Sequence, residues 1–271
     1  MASNALNLEV CDLERRFGIV SKTPAKCDKH GEYAAVFRRN SDKPTGCPEC
    51  SREAEAEKLR DEQAEMRRRN ERERMERRLA GVMIPPRFQG RTFDSYIAQN
   101  DGQRKALKVC RKYADDFAEN KRLGRCLLLL GMPGTGKTHL ATAIAGHVVC
   151  NSASVTAAYR TVSTILQFVK GSFDREAEYT EAQAFEALCA PSLLIIDEVG
   201  ATKPTDFELA TLFSVIDGRY QNLMPTIVIS NLKAEELPGA LGERCVDRLR
   251  ENGGIAVRFD WPSKRSEVRH D

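Results

Sequence analysis

"LLLLGMPGTGKTHLATAIA", residues 127–145, decides the fold. The leucines form a short apolar strand. Residues 131–138, "GMPGTGKT", fit G-x-x-x-x-G-K-[ST], and a helical pattern opens straight after them. Strand, glycine-rich turn and helix in that order make a phosphate cradle. Gly131, Gly134 and Gly136, with Pro133 and Thr135 between them, let backbone N–H groups close on phosphate oxygens. The helix N-terminus adds a field that favours anions. Lys137 is expected to reach the β- and γ-phosphates of ATP, and Thr138 to ligate Mg²⁺. His139, next in line, is a candidate neighbour of the nucleotide or a packing residue on its helix.

The rest of the chain supplies the partners such a loop needs. "LLIIDE", 193–198, is an apolar strand ending in two acids. Asp197 there is expected beside Mg²⁺, and Glu198 is expected to orient and deprotonate an attacking water. "TIVISN", 226–231, ends a further strand on Asn231, which can hold that water, sense the γ-phosphate, or simply turn the chain. With 126–130 (CLLLL), 155–159 (VTAAY) and 255–259 (IAVRF), five short apolar strands alternate with helical patterns. That alternation implies an α/β fold with a parallel sheet covered on both faces.

The totals narrow the class. The chain has 271 residues, enough for one or two domains. A net charge of +3 is too small to argue for nucleic acid by itself. No apolar run is long enough for a membrane helix, and the N-terminus lacks the apolar core of a signal peptide. Nine cysteines then read as cytoplasmic thiols, some of them bound to metal.

Two pairs of those cysteines and a histidine stand out. "CDKH", 27–30, and "CPEC", 47–50, give C-x₂-H-x₁₆-C-x₂-C. Cys27, His30, Cys47 and Cys50 can close a tetrahedral Zn²⁺ site. The other reading is a redox cysteine pair with an unrelated histidine. Residues 1–50 are therefore expected to form a small zinc-binding module, and its apolar positions Leu6, Leu8, Val10, Leu13 and Phe17, with no obvious core of their own to join, are expected to dock a partner. Residues 51–83 follow as a helical linker, whose stretch 51–80 is charged on all sides, and Pro85 and Pro86 break the helix. The ATPase domain is then 84–271. Arg67–Arg69 and the arginines after them can touch DNA, but their interleaved glutamates fit a solvated helix as well.

Gly131–Thr138, Asp197-Glu198 and Asn231 together resemble the AAA+ ATPases. That resemblance implies strand order 5-1-4-3-2, with the Asn231 strand between the two that bear the phosphate loop and the acids. It also implies an arginine before the last strand that serves the adjacent subunit's γ-phosphate. "GERCVDRLRENGG", 242–254, puts Arg244 and Arg248 there, one helical turn apart. Arg248 has the better match, and a pair with Asp247 or Glu243 is the alternative. After the last strand only "DWPSKRSEVRHD" remains, too short for the family's C-terminal helical lid, so Arg265 is its sole candidate for a second sensor.

A lid-less module of this kind resembles the bacterial DnaC/DnaI-type helicase loaders and the related IstB transposition helpers. The likeness runs over about 84–265, through "IPPRFQGRTFDSY", "GRYQNLMPTIVISNL" and "LGERCVDRLRENGGIAVRFDWPSKR". It implies a DnaB-type replicative helicase and single-stranded DNA as partners, and a spiral or ring of subunits. It places Phe173, Lys203, Thr205 and Phe207 toward the DNA, with core packing as the rival reading of the two phenylalanines. A zinc ribbon that contacts nucleic acid through Arg38, Arg39 and Lys43 is the alternative for the N-terminal module.

Overall fold

The computed structural model describes residues 8–263. Leu6 and Arg265 lie outside them. The chain divides into two compact units, at Glu73/Arg74.

In the first unit, a short helix α1 (Asp12–Arg16) leads into an antiparallel pair, β1 (Ile19–Cys27) and β2 (Gly31–Arg38). Helix α2 (Pro48–Gly81) starts here, with proline at its first position, where the missing N–H costs nothing. No residue along α2 is buried, as its all-round charge requires. It starts earlier than the charged stretch 51–80, so Cys50 sits in its first turn. Among the described residues of this unit only Ala35 and Cys47 are buried, too little core to hold so short a chain.

The second unit is the α/β layer. Helices α3 (Asp101–Asp115) and α4 (Phe117–Leu123) precede β3 (Leu127–Gly131) and α5 (Lys137–Asn151). Then come β4 (Ala157–Thr161), α6 (Val162–Gly171), α7 (Glu181–Cys189) and β5 (Leu193–Val199). After α8 (Asp206–Gln221) and β6 (Thr226–Ser230), two short helices, α9 (Leu237–Leu241) and α10 (Glu243–Arg250), lead to β7 (Ile255–Phe259). The sheet is parallel, in the order β4-β5-β6-β3-β7. Numbered from the phosphate-loop strand, that is the expected 5-1-4-3-2. The strand expected at 155–159 begins two residues later, because Val155 and Thr156 lie ahead of the paired register with β5.

Alternate residues of each strand feed opposite cores. Leu127, Leu129, Ile195, Ile227 and Ile229 pack under α3 and α5. Leu128, Leu130, Leu194, Ile196 and Val228 pack under α6, α7, α8, α9 and α10. Each such side chain contributes roughly 1.5–3 kcal/mol of burial, so both faces hold the sheet. Arg219 on α8 is fully buried as well, without a carboxylate. Its guanidinium donates to the carbonyls of Leu188, Cys189, Pro191 and Pro225 and to the Thr226 hydroxyl. Burial lowers its pKa to about 10, which still leaves it charged at neutral pH. It ties the end of α7 to the start of β6, and so fixes how the strands bearing Asp197 and Asn231 enter the sheet.

Candidate nucleotide site and metal cluster

The turn between β3 and α5 takes left-handed backbone at Gly131 (φ 133°), Gly134 (φ 76°) and Gly136 (φ 97°). Two of these positions also admit no side chain. A Cβ on Gly131 would stand 2.4 Å from the Phe259 carbonyl, and one on Gly136 2.8 Å from the Tyr96 ring. The loop is held from outside too: the Thr135 carbonyl accepts from Trp261 Nε1 at 3.0 Å and from the Tyr96 hydroxyl at 3.4 Å.

Lys137 is buried, and its ammonium donates to the carbonyls of Gly131 (2.6 Å) and Met132 (2.7 Å) and to Asn231 Oδ1 (3.0 Å). Asn231 reaches it because β6 lies directly beside β3 in the sheet. Thr138 Oγ1 donates to Asp197 Oδ2 at 2.9 Å, and the Tyr159 hydroxyl donates to the same oxygen at 2.7 Å. At Glu198 the backbone is left-handed (φ 64°), and the register between β5 and β6 slips between Ile196 and Val199. Such an irregularity re-aims side chains at a strand end. Asp197 is buried and Glu198 is exposed.

These groups line one cavity of about 390 Å³, with Pro133, Gly134, Thr135, Gly136 and His139 on its rim. His139 bonds Ser95 Oγ (3.2 Å) and the Thr92 carbonyl (2.9 Å) and stands edge-on to Tyr96, tying α5 to the segment before α3. Arg87, Phe88, Arg91 and Tyr159 also line the cavity, and sequence reading passed over all four. The first three come from the stretch after Pro85 and Pro86, which carries no chemical motif. Tyr159 is one of several apolar-strand residues, and nothing local distinguishes it.

The remaining candidates sit elsewhere. Arg244 is exposed on α10. Arg248 pairs with neither Asp247 nor Glu243 but with Asp217 of α8, and its guanidinium lies over the Tyr220 and Phe213 rings (5.1 and 5.6 Å). Phe173 is 56% exposed and meets Phe207 edge-on at 6.0 Å, while Lys170 lies over the Phe207 ring. Phe207 itself leans on the core. Lys203 is exposed, and the Thr205 hydroxyl caps α8 at Glu208 N.

In the first unit, Cys27, His30, Cys47 and Cys50 offer four ligand atoms, all within 4.8 Å of one another. Cys27 and Cys50 sulfurs are 3.5 Å apart, and His30 Nδ1 lies 3.3–3.8 Å from the three sulfurs. A tetrahedron with metal–sulfur bonds of ~2.3 Å has edges of roughly 3.8 Å, so the set fits a metal ion. Backbone N–H groups of His30 and Lys29 directed at Cys27 lower its thiol pKa to about 6. The neighbouring Cys27 sulfur, above all, pushes Cys50 up to about 11. On its far side His30 Nε2 meets Glu53 Oε1 at 3.2 Å, the kind of outer contact that sets a ligand's tautomer. Glu53, one more acid in a charged run, gave no sign of this in the sequence.

Among the described residues, no helix is long and apolar enough to cross a membrane. The family model of the IstB-like ATP binding protein matches residues 47–248. The replicative helicase loader DnaC of Buchnera aphidicola subsp. Schizaphis graminum is 33% identical over 204 residues, 75% of this chain and 81% of its own length. DnaC of Escherichia coli K12 is 33% identical over 205 residues, 76% and 81% of the two chains. The crystal structure of the DnaC helicase loader superposes with TM-score 0.59 at 23% identity, over 65% of this chain and all of that one. That of DnaI does so with TM-score 0.57 at 19% identity, over 70% and 100%. The fold, the phosphate loop with its paired acids, and these likenesses agree: the chain belongs to the family of IstB-like ATP-binding proteins, alongside the DnaC helicase loaders.

Proposed function

We propose that this chain is an ATP-dependent loader that delivers a hexameric, DnaB-type replicative helicase onto single-stranded DNA in the cytoplasm. The observation that carries the reading is the nucleotide site, where Lys137, Thr138, Asp197, Glu198 and Asn231 line one cavity, on a chain one-third identical to DnaC over three quarters of its length. The glycine turn would hold the phosphates of ATP, and Lys137 would exchange two backbone carbonyls for phosphate oxygens. Thr138 and Asp197 present hard oxygen donors that suit Mg²⁺, which neutralises developing phosphate charge when bound. Asn231, held by Lys137, lines the same cavity as exposed Glu198, so the two can position a water. Lys137→Ala should abolish ATP binding. Glu198→Gln should keep it and slow turnover about 10²–10⁴-fold, because the base is lost while the metal ligands stay. Unchanged hydrolysis in the Glu198→Gln protein would move the base elsewhere.

The Cys/His cluster is assigned to one Zn²⁺, and its unit to helicase docking. Leu13 is 64% exposed, Phe17 74% and Val20 60%, with no core of their own to join. An aromatic anchor at an interface centre is worth 2 kcal/mol or more, roughly 30-fold in affinity. Full-length Phe17→Ser protein should therefore bind purified replicative helicase about 30-fold more weakly, with ATP affinity unchanged. Equal affinity for the variant and its parent would move docking to the ATPase. The DNA contact is proposed on Phe173, Lys203, Thr205 and Phe207, supported by the exposed Phe173 ring against Phe207 and by the Lys170 ammonium over the Phe207 ring. The match to an IstB-like model, together with the resemblance to IstB transposition helpers, leaves a second reading, an ATP-binding helper of DNA transposition. That reading predicts duplex-DNA binding and no affinity for the helicase, so the parent's binding to purified helicase separates the two.

A further inference from the structure

We infer that Tyr159 is a positioning residue that holds the Asp197 carboxylate for Mg²⁺, and that its hydroxyl sets the metal dependence of nucleotide binding. The inference rests on the ATPase reading above and adds a group to that site.

The sheet register places it. β4 runs parallel to β5 with Tyr159 opposite Ile195, so Asp197 stands two residues further along, about 6.6 Å, on the same face. A side chain on β4 must be long to cover that offset, and the Tyr159 hydroxyl ends 2.7 Å from Asp197 Oδ2. The ring is 5% exposed yet borders the nucleotide cavity. Burial first, and the neighbouring Asp197 second, raise the phenol pKa, so the hydroxyl stays a donor at any assay pH.

Three donors hold this carboxylate. The Glu198 N–H bonds Oδ1 at 2.7 Å, and Thr138 and Tyr159 share Oδ2. The Thr138 hydroxyl is the one whose oxygen a Mg²⁺ ion would recruit. That leaves the Glu198 amide and Tyr159 to fix the carboxylate plane. The Glu198 amide belongs to a left-handed residue at a register slip, so the phenol is the only one of the two carried by a regular strand. Outer groups of this kind typically govern metal affinity by 10–100-fold.

The test is a titration of Mg²⁺ into protein and a fluorescent ATP analogue, beginning in EDTA, for the parent and Tyr159→Phe. The phenylalanine keeps the ring and removes only the donor. Both proteins should bind the analogue equally in EDTA, and the half-saturating Mg²⁺ concentration should rise about 10–100-fold in the variant. Superimposable Mg²⁺ curves overturn the inference while leaving the ATPase reading intact. So does an equal loss of binding with and without Mg²⁺, or failure to fold, since either makes the hydroxyl merely structural. A parent whose nucleotide affinity ignores Mg²⁺ overturns both.

Discussion

Arg248→Ala protein is expected to bind ATP with near-normal affinity and to hydrolyse it about 10³–10⁵-fold more slowly. Arg248 is proposed to serve the γ-phosphate of the adjacent subunit, so its loss spares the chain's own phosphate loop. In the single chain it is held by Asp217 and two aromatic faces. This pocket remains partly open to water, and a guanidinium that leaves Asp217 for a phosphate exchanges one anion for another. Turnover stimulated by DNA should suffer most, because DNA brings subunits together along the strand. Mixing decides between the two roles. Lys137→Ala subunits bind no ATP but keep Arg248, and Arg248→Ala subunits bind ATP but lack it. Together they form interfaces in which an intact arginine meets an occupied site, and part of the activity should return. If Arg248 serves only to pin α10 to α8, no ratio restores activity and the Arg248→Ala protein melts earlier. Arg244, exposed one turn away, is tested in the same mixtures.

Metal removal should have the second large effect. Structural zinc sites in small modules supply on the order of 10 kcal/mol, and this unit has almost no core to replace it. Cys50→Ser leaves three ligands, and the β1–β2 pair and the start of α2 should lose order together. Metal analysis should find one Zn²⁺ per chain in the parent and far less in the variant. ATP affinity should be unchanged, because the nucleotide cavity is lined entirely from the second unit. Parent protein purified without chelator and free of zinc would refute the assignment. Loss of ATP binding in the Cys50→Ser protein would show that the two units do not fold independently.

Local pattern was enough to place the strands of the second unit, each within two residues, because a buried parallel strand is a continuous apolar run between helical periods. It was enough for the phosphate loop as well, where each glycine answers a backbone demand within eight residues, and for the cluster of Cys27, His30, Cys47 and Cys50, spaced as two close pairs. The sheet order followed from family resemblance, since strand neighbours leave no mark on their own sequences. Only the tertiary structure could show what meets across the sheet. Tyr159 finds Asp197 38 residues on, Lys137 finds Asn231 after 94, and Arg248 passes over the acids of its own helix for Asp217. Arg219 reads as one more surface charge until packing buries it among five acceptors. The reason is common to all four. A long polar side chain takes whichever partner the backbone brings within about 3 Å, and its own neighbours in sequence do not encode which partner that is.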